Sequence, residues 1–148
     1  MKIVSLFLLT GIGNFIKQVN CYVMKAPDYY QPIMPYLCIK DASQFIDFIK
    51  TVFDAEIKLI VPREDGSTMH AEATIDKGTI MFTQANEMYS PYGSALFIFS
   101  PRAMAFYDKA MANGATSVQE PDERDYGLSA GFTDAWHNTW WLAVPDEE

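Results

Sequence analysis

The chain has 148 residues, 49% of them hydrophobic, which suits one domain with a real core. Nineteen acidic against eleven basic residues give a formal charge of -8. That argues against a nucleic-acid backbone as partner, because such a partner needs clustered Lys and Arg to displace its counterions. The two cysteines, Cys21 and Cys38, make neither a disulfide framework nor a Cys-x-x-Cys metal spacing, so a reducing, cytoplasmic setting is expected.

Residues 1–29 read as an extension outside the folded domain. Lys2 and the apolar Ile3 to Ile12 resemble a short secretory leader, too short to span a bilayer and followed by no small-x-small cleavage site. Secretion is therefore the alternative to a cytoplasmic location, Met24 is an alternative start, and no membrane partner is expected. Pro27, Pro32 and Pro35 keep the following stretch extended, leading into a strand at Tyr36 to Ile39. Asp41 caps a helix, with Gln44 placed for a capping box, and Phe45, Phe48, Ile49, Val52 and Phe53 form its buried stripe. Asp54-Ala55 ends it, and Glu56 to Pro62 is a strand before a turn at Arg63 to Ser67. Thr68 to Ile75 alternates, putting Thr68, His70, Glu72 and Thr74 on one face. On a sheet folded over a cavity such a polar face lines the cavity, whereas in a plain sandwich it is the wet outer side. Asp76-Lys77-Gly78 turns the chain back into Gly78 to Ala85, and Asn86 to Gly93 is a turn-rich linker.

In the second half, Ser100-Pro101 places an N-cap before a proline at the first helical position, and Asn113-Gly114 closes the helix. Gln119 to Tyr126, acidic and proline-bearing, reads as a loop. The last strands, about Ser129 to Asp134 and Asn138 to Val144, carry or flank Trp136, Trp140 and Trp141. The halves repeat in pattern. An offset of 59 lays Asp41 on Ser100, Ala55 on Gly114, and GTIMFTQA (from Gly78) on HNTWWLAV (from His137). The expected fold is α+β: two tandem βαβββ modules, about 30–85 and 94–144 joined by a linker at 86–93, forming a curved mixed sheet around a cavity.

Several stretches are distinctive: the helix Asp41 to Phe53, MHAEATI from Met69, NGAT from Asn113, and YGLSAGFTDAWHNTWWLA from Tyr126, a variant of a YGDRxGxxxDPFGHxWxLA ending. On these, roughly Tyr30 to Val144 resembles the vicinal oxygen chelate superfamily of glyoxalase I, bleomycin-resistance proteins and extradiol dioxygenases, in its PhnB-like or glyoxalase-like branch. The resemblance implies a homodimer and, in metal-using members, a divalent ion held by histidines and carboxylates from the first and last strands of each module. Here those positions fall on Met34 or Pro35, on Ser94, on Met81 or Phe82, and on Trp141, none of which suits such an ion. Leu128-Ser129 also replaces the Asp-Arg of the ending, and His137-Asn138 its Gly-His.

No cofactor is therefore expected, and the leading function is binding of an aromatic or cationic small molecule in the cavity. Candidate ligand-binding residues are Tyr36, Met81, Phe82, Phe97, Tyr126, Trp136, His137 and Trp141, with Trp141 inside the cavity; the plainer reading is that the tryptophans only pack. The alternative is a lyase or dioxygenase-like enzyme whose metal has moved to His70 and Glu72, joined by His137. A third reading is a metal-free enzyme in which His70 and Glu72 are a catalytic acid/base pair.

Overall fold

The computed structural model describes residues 25–145 in full, together with the backbone of two short strands before them. The chain divides into two compact units, Met1–Tyr30 and Gln31–Glu148. In the first, β1 (Ile3–Leu6) pairs antiparallel with β2 (Val19–Tyr22). The rest of the leader-like segment lies outside the described residues.

The second unit holds two mixed four-stranded sheets and two helices, an α+β architecture. Module one is β3 (Tyr36–Ile39), α1 (Ala42–Phe53), β4 (Glu56–Pro62), β5 (Thr68–Ile75) and β6 (Gly78–Gln84). Module two repeats it as β7 (Ala95–Phe99), α2 (Ala103–Ala112), β8 (Thr116–Arg124), β9 (Gly127–Thr133) and β10 (Thr139–Ala143). Each sheet runs first, last, third, second strand: β3-β6-β5-β4 and β7-β10-β9-β8. The helical crossover makes the first and last strands parallel, and the other neighbours are hairpin pairs.

Asp41 accepts hydrogen bonds from the Gln44 amide and the Ser43 hydroxyl, fixing the start of α1. Asp54, in a left-handed conformation, stops it. The second helix starts later than Ser100-Pro101 suggested. Those residues and Arg102 form a turn, held by the Arg102 amide donating to the Ser100 hydroxyl, and α2 begins at Ala103. The expected acidic loop is an edge strand for most of its length. β8 runs through Pro121 to Arg124, with the pairing skipping between Gln119 and Asp122. An edge strand tolerates both features: its charges stay wet, and a bulge removes the need for proline's missing N–H.

One face of each sheet meets the helices. Phe45, Ile49, Val52 and Phe53 of α1 lie in one buried core with Leu37, Ile39, Ala71, Ala73 and Phe82. Phe106 and Ala110 of α2 share it with Ala130, Phe132, Trp140 and Leu142. Small alanines on the central strands let the helices approach closely. Phe53 joins the modules, its ring 4.5 Å from Trp140 and 5.4 Å from Phe106 between centroids. Truncating such a ring to alanine typically costs about 3–5 kcal/mol. The opposite face of each sheet is open, exposing Tyr36 and Met69 on one module and Phe97 and Phe99 on the other.

Candidate functional site on the open face of module one

Strand register decides which side chains meet on the open face. Tyr36 pairs with Met81, and Met81 with Glu72, so these three form one row across β3, β6 and β5. His70, two residues before Glu72, shares its face. The Tyr36 hydroxyl lies 3.1 Å from His70 Nδ1, and His70 Nε2 lies 2.9 Å from Glu72 Oε1. Tyr36 and His70 also stack, with ring centroids 5.7 Å apart. One neutral tautomer satisfies the chain: the phenol donates to Nδ1, and the Nε2 proton is donated to the carboxylate. Glu72 is only 1% exposed, so this imidazole contact helps meet the cost of a buried carboxylate. Burial pushes the Tyr36 phenol above its usual range, with the charge of Arg63 working the other way, so the phenol stays protonated at neutral pH.

A cavity of about 730 Å³ opens on the same face, lined by Tyr36, Cys38, Met69 and Thr83 of the sheet, by Arg63, and by residues of the segment 86–92. That segment is a wall as well as a linker. Asn86 Oδ1 accepts the Met88 and Tyr89 amides, the Tyr92 hydroxyl donates to the Tyr36 carbonyl, and the Cys38 thiol donates to the Tyr89 carbonyl. Burial raises the Cys38 thiol above its ordinary range, again against the pull of Arg63. The Arg63 guanidinium is fixed by four bonds, to Ser67 Oγ, the Thr68 carbonyl, Thr83 Oγ1 and the Gln84 carbonyl.

The candidate residues thus fall in separate places. Tyr36, His70, Glu72 and Met81 share the open face of module one. Trp141 lies on the open face of module two, in register between Phe97 and Gly131, and Tyr126 meets Phe97 edge-on at 6.4 Å. Trp136 packs against Phe45 and Phe48 of α1, and with His137 lines a second cavity of about 490 Å³. Phe82 corrects the expectation: it is fully buried on the helix face, edge-on to Phe45 at 5.2 Å, and does not reach the cavity. The reason is register. Leu37 pairs with Phe82 whereas Leu96 pairs with Trp140, so the last strands match at an offset of 58, and Phe82 corresponds to the buried Trp140. Arg63, Tyr89 and Tyr92 were missed as cavity residues, and two tyrosines in so short a linker were the signal available.

His70 and Glu72 supply two neighbouring donors. Among the described residues no group of three or more His, Cys, Asp or Glu side chains is placed to hold a metal ion. A protein-bound zinc or similar ion takes at least three protein ligands, so this pair alone does not make such a site.

The fold is shared with solved structures. TioX from Micromonospora sp. ML1 superposes with a TM-score of 0.65 at 18% identity, over 76% of this chain and 97% of that one. A PhnB protein from Bacillus cereus does so at 0.59 and 16%, over 77% and 99%. The fosfomycin resistance protein FosX from Listeria monocytogenes, solved with Mn(II) and sulfate, does so at 0.56 and 18%, over 78% and 90%. At such identities the likeness speaks for the fold alone. No curated protein matches the chain. The family model matches residues 28–142, nearly the whole second unit. This chain is a member of the Glyoxalase/Bleomycin resistance protein/Dioxygenase superfamily.

Proposed function

We propose that this protein binds a small planar, partly apolar molecule in the cavity on the open face of module one, without a divalent ion, and that a second copy of the chain covers that face. The observation carrying the reading is the cavity itself: three tyrosines and two methionines beside hydroxyl and amide groups, a lining that stacks on a ring while orienting it by hydrogen bonds. The metal-free part rests on residue identity, since the positions expected to grip an ion hold Met34 or Pro35, Ser94, Met81 or Phe82, and Trp141. A homodimer is supported by the exposed aromatic side chains of module two, with Phe97 58% exposed. Among the described residues no helix is long and apolar enough to cross a membrane, and Cys38 is a free thiol, which supports a cytoplasmic setting.

A melting scan with a panel of planar aromatics tests the reading. A ligand at a hundred times its Kd stabilises by about 2.7 kcal/mol, and sedimentation should give a dimer. A panel that leaves the melting temperature unmoved overturns it.

The Tyr36–His70–Glu72 chain favours a second reading, in which the bound molecule exchanges a proton. The phenol proton would pass to His70 Nδ1 as the Nε2 proton passes to Glu72, leaving a phenolate to take a proton from the ligand. Tyr36→Phe separates the two readings. It leaves affinity for aromatics within about threefold under the first reading, and abolishes deuterium exchange into the ligand under the second.

A further inference from the structure

The chain carries a charge of -8, which at long range favours cations. The cavity of module one is the reverse. Among the described residues its lining contains Arg63 and no Asp or Glu. Among the three arginines, Arg102 pairs with Asp54 and Asp76, and Arg124 with Asp122. Among the described residues Arg63 makes no such pair: its four bonds all go to neutral oxygens, two hydroxyls and two carbonyls.

Those four bonds hold the guanidinium rigidly without neutralising it. Its charge reaches the cavity walls, where it opposes the effect of burial on both Tyr36 and Cys38. Asp65, in the same turn, feels this charge without a direct ion pair to it. A half-buried, pre-positioned cation with no carboxylate in contact is worth more to an anion than a mobile surface lysine, because no side-chain ordering remains to be done and screening is weaker. Beside it stand the hydroxyl groups of Tyr89 and Ser90 and the amide of Asn86, all able to donate to an anionic oxygen, and the rings and thioethers that take an aromatic body.

Building on the binding reading above, we infer that the natural ligand of this cavity is an aromatic acid, its anionic group set against Arg63 and its ring among Tyr36, Met69, Tyr89 and Tyr92.

Calorimetry on the full chain with naphthoate, naphthamide and naphthamidine tests this, since the three share a ring and differ in charge. The acid should bind about tenfold tighter than the amide, with the amidine weakest, and the preference should shrink as salt is raised. Arg63→Gln should erase the preference and Arg63→Lys should keep part of it. Arg63 also ties the turn before β5 to β6, so should Arg63→Gln fail to fold, the salt dependence of the wild-type protein and the Arg63→Lys variant decide. Equal affinity for acid and amide, or tightest binding of the amidine, overturns the anionic assignment and leaves the binding reading standing. If none of the three binds, the binding reading falls with it.

Discussion

The two modules share a topology and differ in what they show to the outside. Strand register lays the row Tyr36–Met81–Glu72 of the first on Ala95–Thr139–Thr133 of the second, and His70 on Gly131. Phenol, imidazole and carboxylate become methyl, hydrogen and hydroxyl. The space above Gly131 is taken by the Trp141 ring, which a Cβ there would meet at 2.6 Å. The βαβββ unit therefore does not need the polar chain to fold, because the helix side is apolar in both copies. Glu72, buried and hydrogen-bonded to His70, therefore has no counterpart on the open face of the second copy and is not required by the shared frame. Each module is also pinned by one charged side chain making four hydrogen bonds. In module one it is Arg63 at the cavity edge. In module two it is Asp134, 4% exposed, which accepts from the Trp136 and Asn138 amides, Asn138 Nδ2 and Trp140 Nε1.

That second pin gives the largest expected effect. Asp134→Ala leaves the buried Trp140 indole N–H and the Asn138 amide without their acceptor, and should cost about 3–5 kcal/mol by urea denaturation. Asp134→Asn keeps part of the acceptor geometry and should cost less. If both variants melt like the parent, the turn is held by something other than this carboxylate and the parallel with Arg63 is lost.

Much of this comparison was legible in the residues. The stripe from Phe45 to Phe53, the Asp41 cap and the alternation from His70 to Ile75 are local signals and survive folding. A register shift opposite Val61 and Pro62 breaks the alternation before His70, so that Met69 lines the cavity and Thr68 is buried. What failed is what depends on the relation between strands. Phe82 was placed in the cavity because one offset was applied to a whole half, although the path from first strand to last is one residue shorter in module two, and one residue exchanges the faces of a strand. The strand through Pro121 was missed because proline and acids oppose a central strand, and composition does not say which strand is an edge. Arg63 was passed over as a turn residue. Its role depends on Thr83 and Gln84, about twenty positions on, which the hairpin brings beside it.

A smaller effect sharpens the contrast at Gly131. An alanine there must push the Trp141 ring aside, costing about 1–3 kcal/mol, and should shift the tryptophan emission. An unchanged spectrum would mean that the ring already moves freely, and Trp141 would no longer distinguish an aromatic module from a polar one.

The smallest effect concerns the rim where the modules meet. Arg102 pairs with Asp54 and Asp76, and Lys109 pairs with Asp54. A hydrogen bond from Lys109, with the charges of Lys109 and Arg102, holds Asp54 below its usual range against some desolvation. Burial works to raise Asp76 and is outweighed by hydrogen bonds from Ser100 and Arg102 and by the Arg102 charge, so it too sits low. A carboxyl lower in the folded than in the unfolded state contributes stability that is fully present above the ordinary 3.8 and is lost as the pH falls through the folded value. Arg102→Ala lets both carboxyls relax toward 3.8, so stability should fall less steeply with acid below that pH. Near neutrality the change should be small, because exposed ion pairs are screened. Acid unfolding of Arg102→Ala beside the parent measures this. Identical acid limbs would show that the modules are joined by the Phe53 core alone, with the rim charges adding nothing.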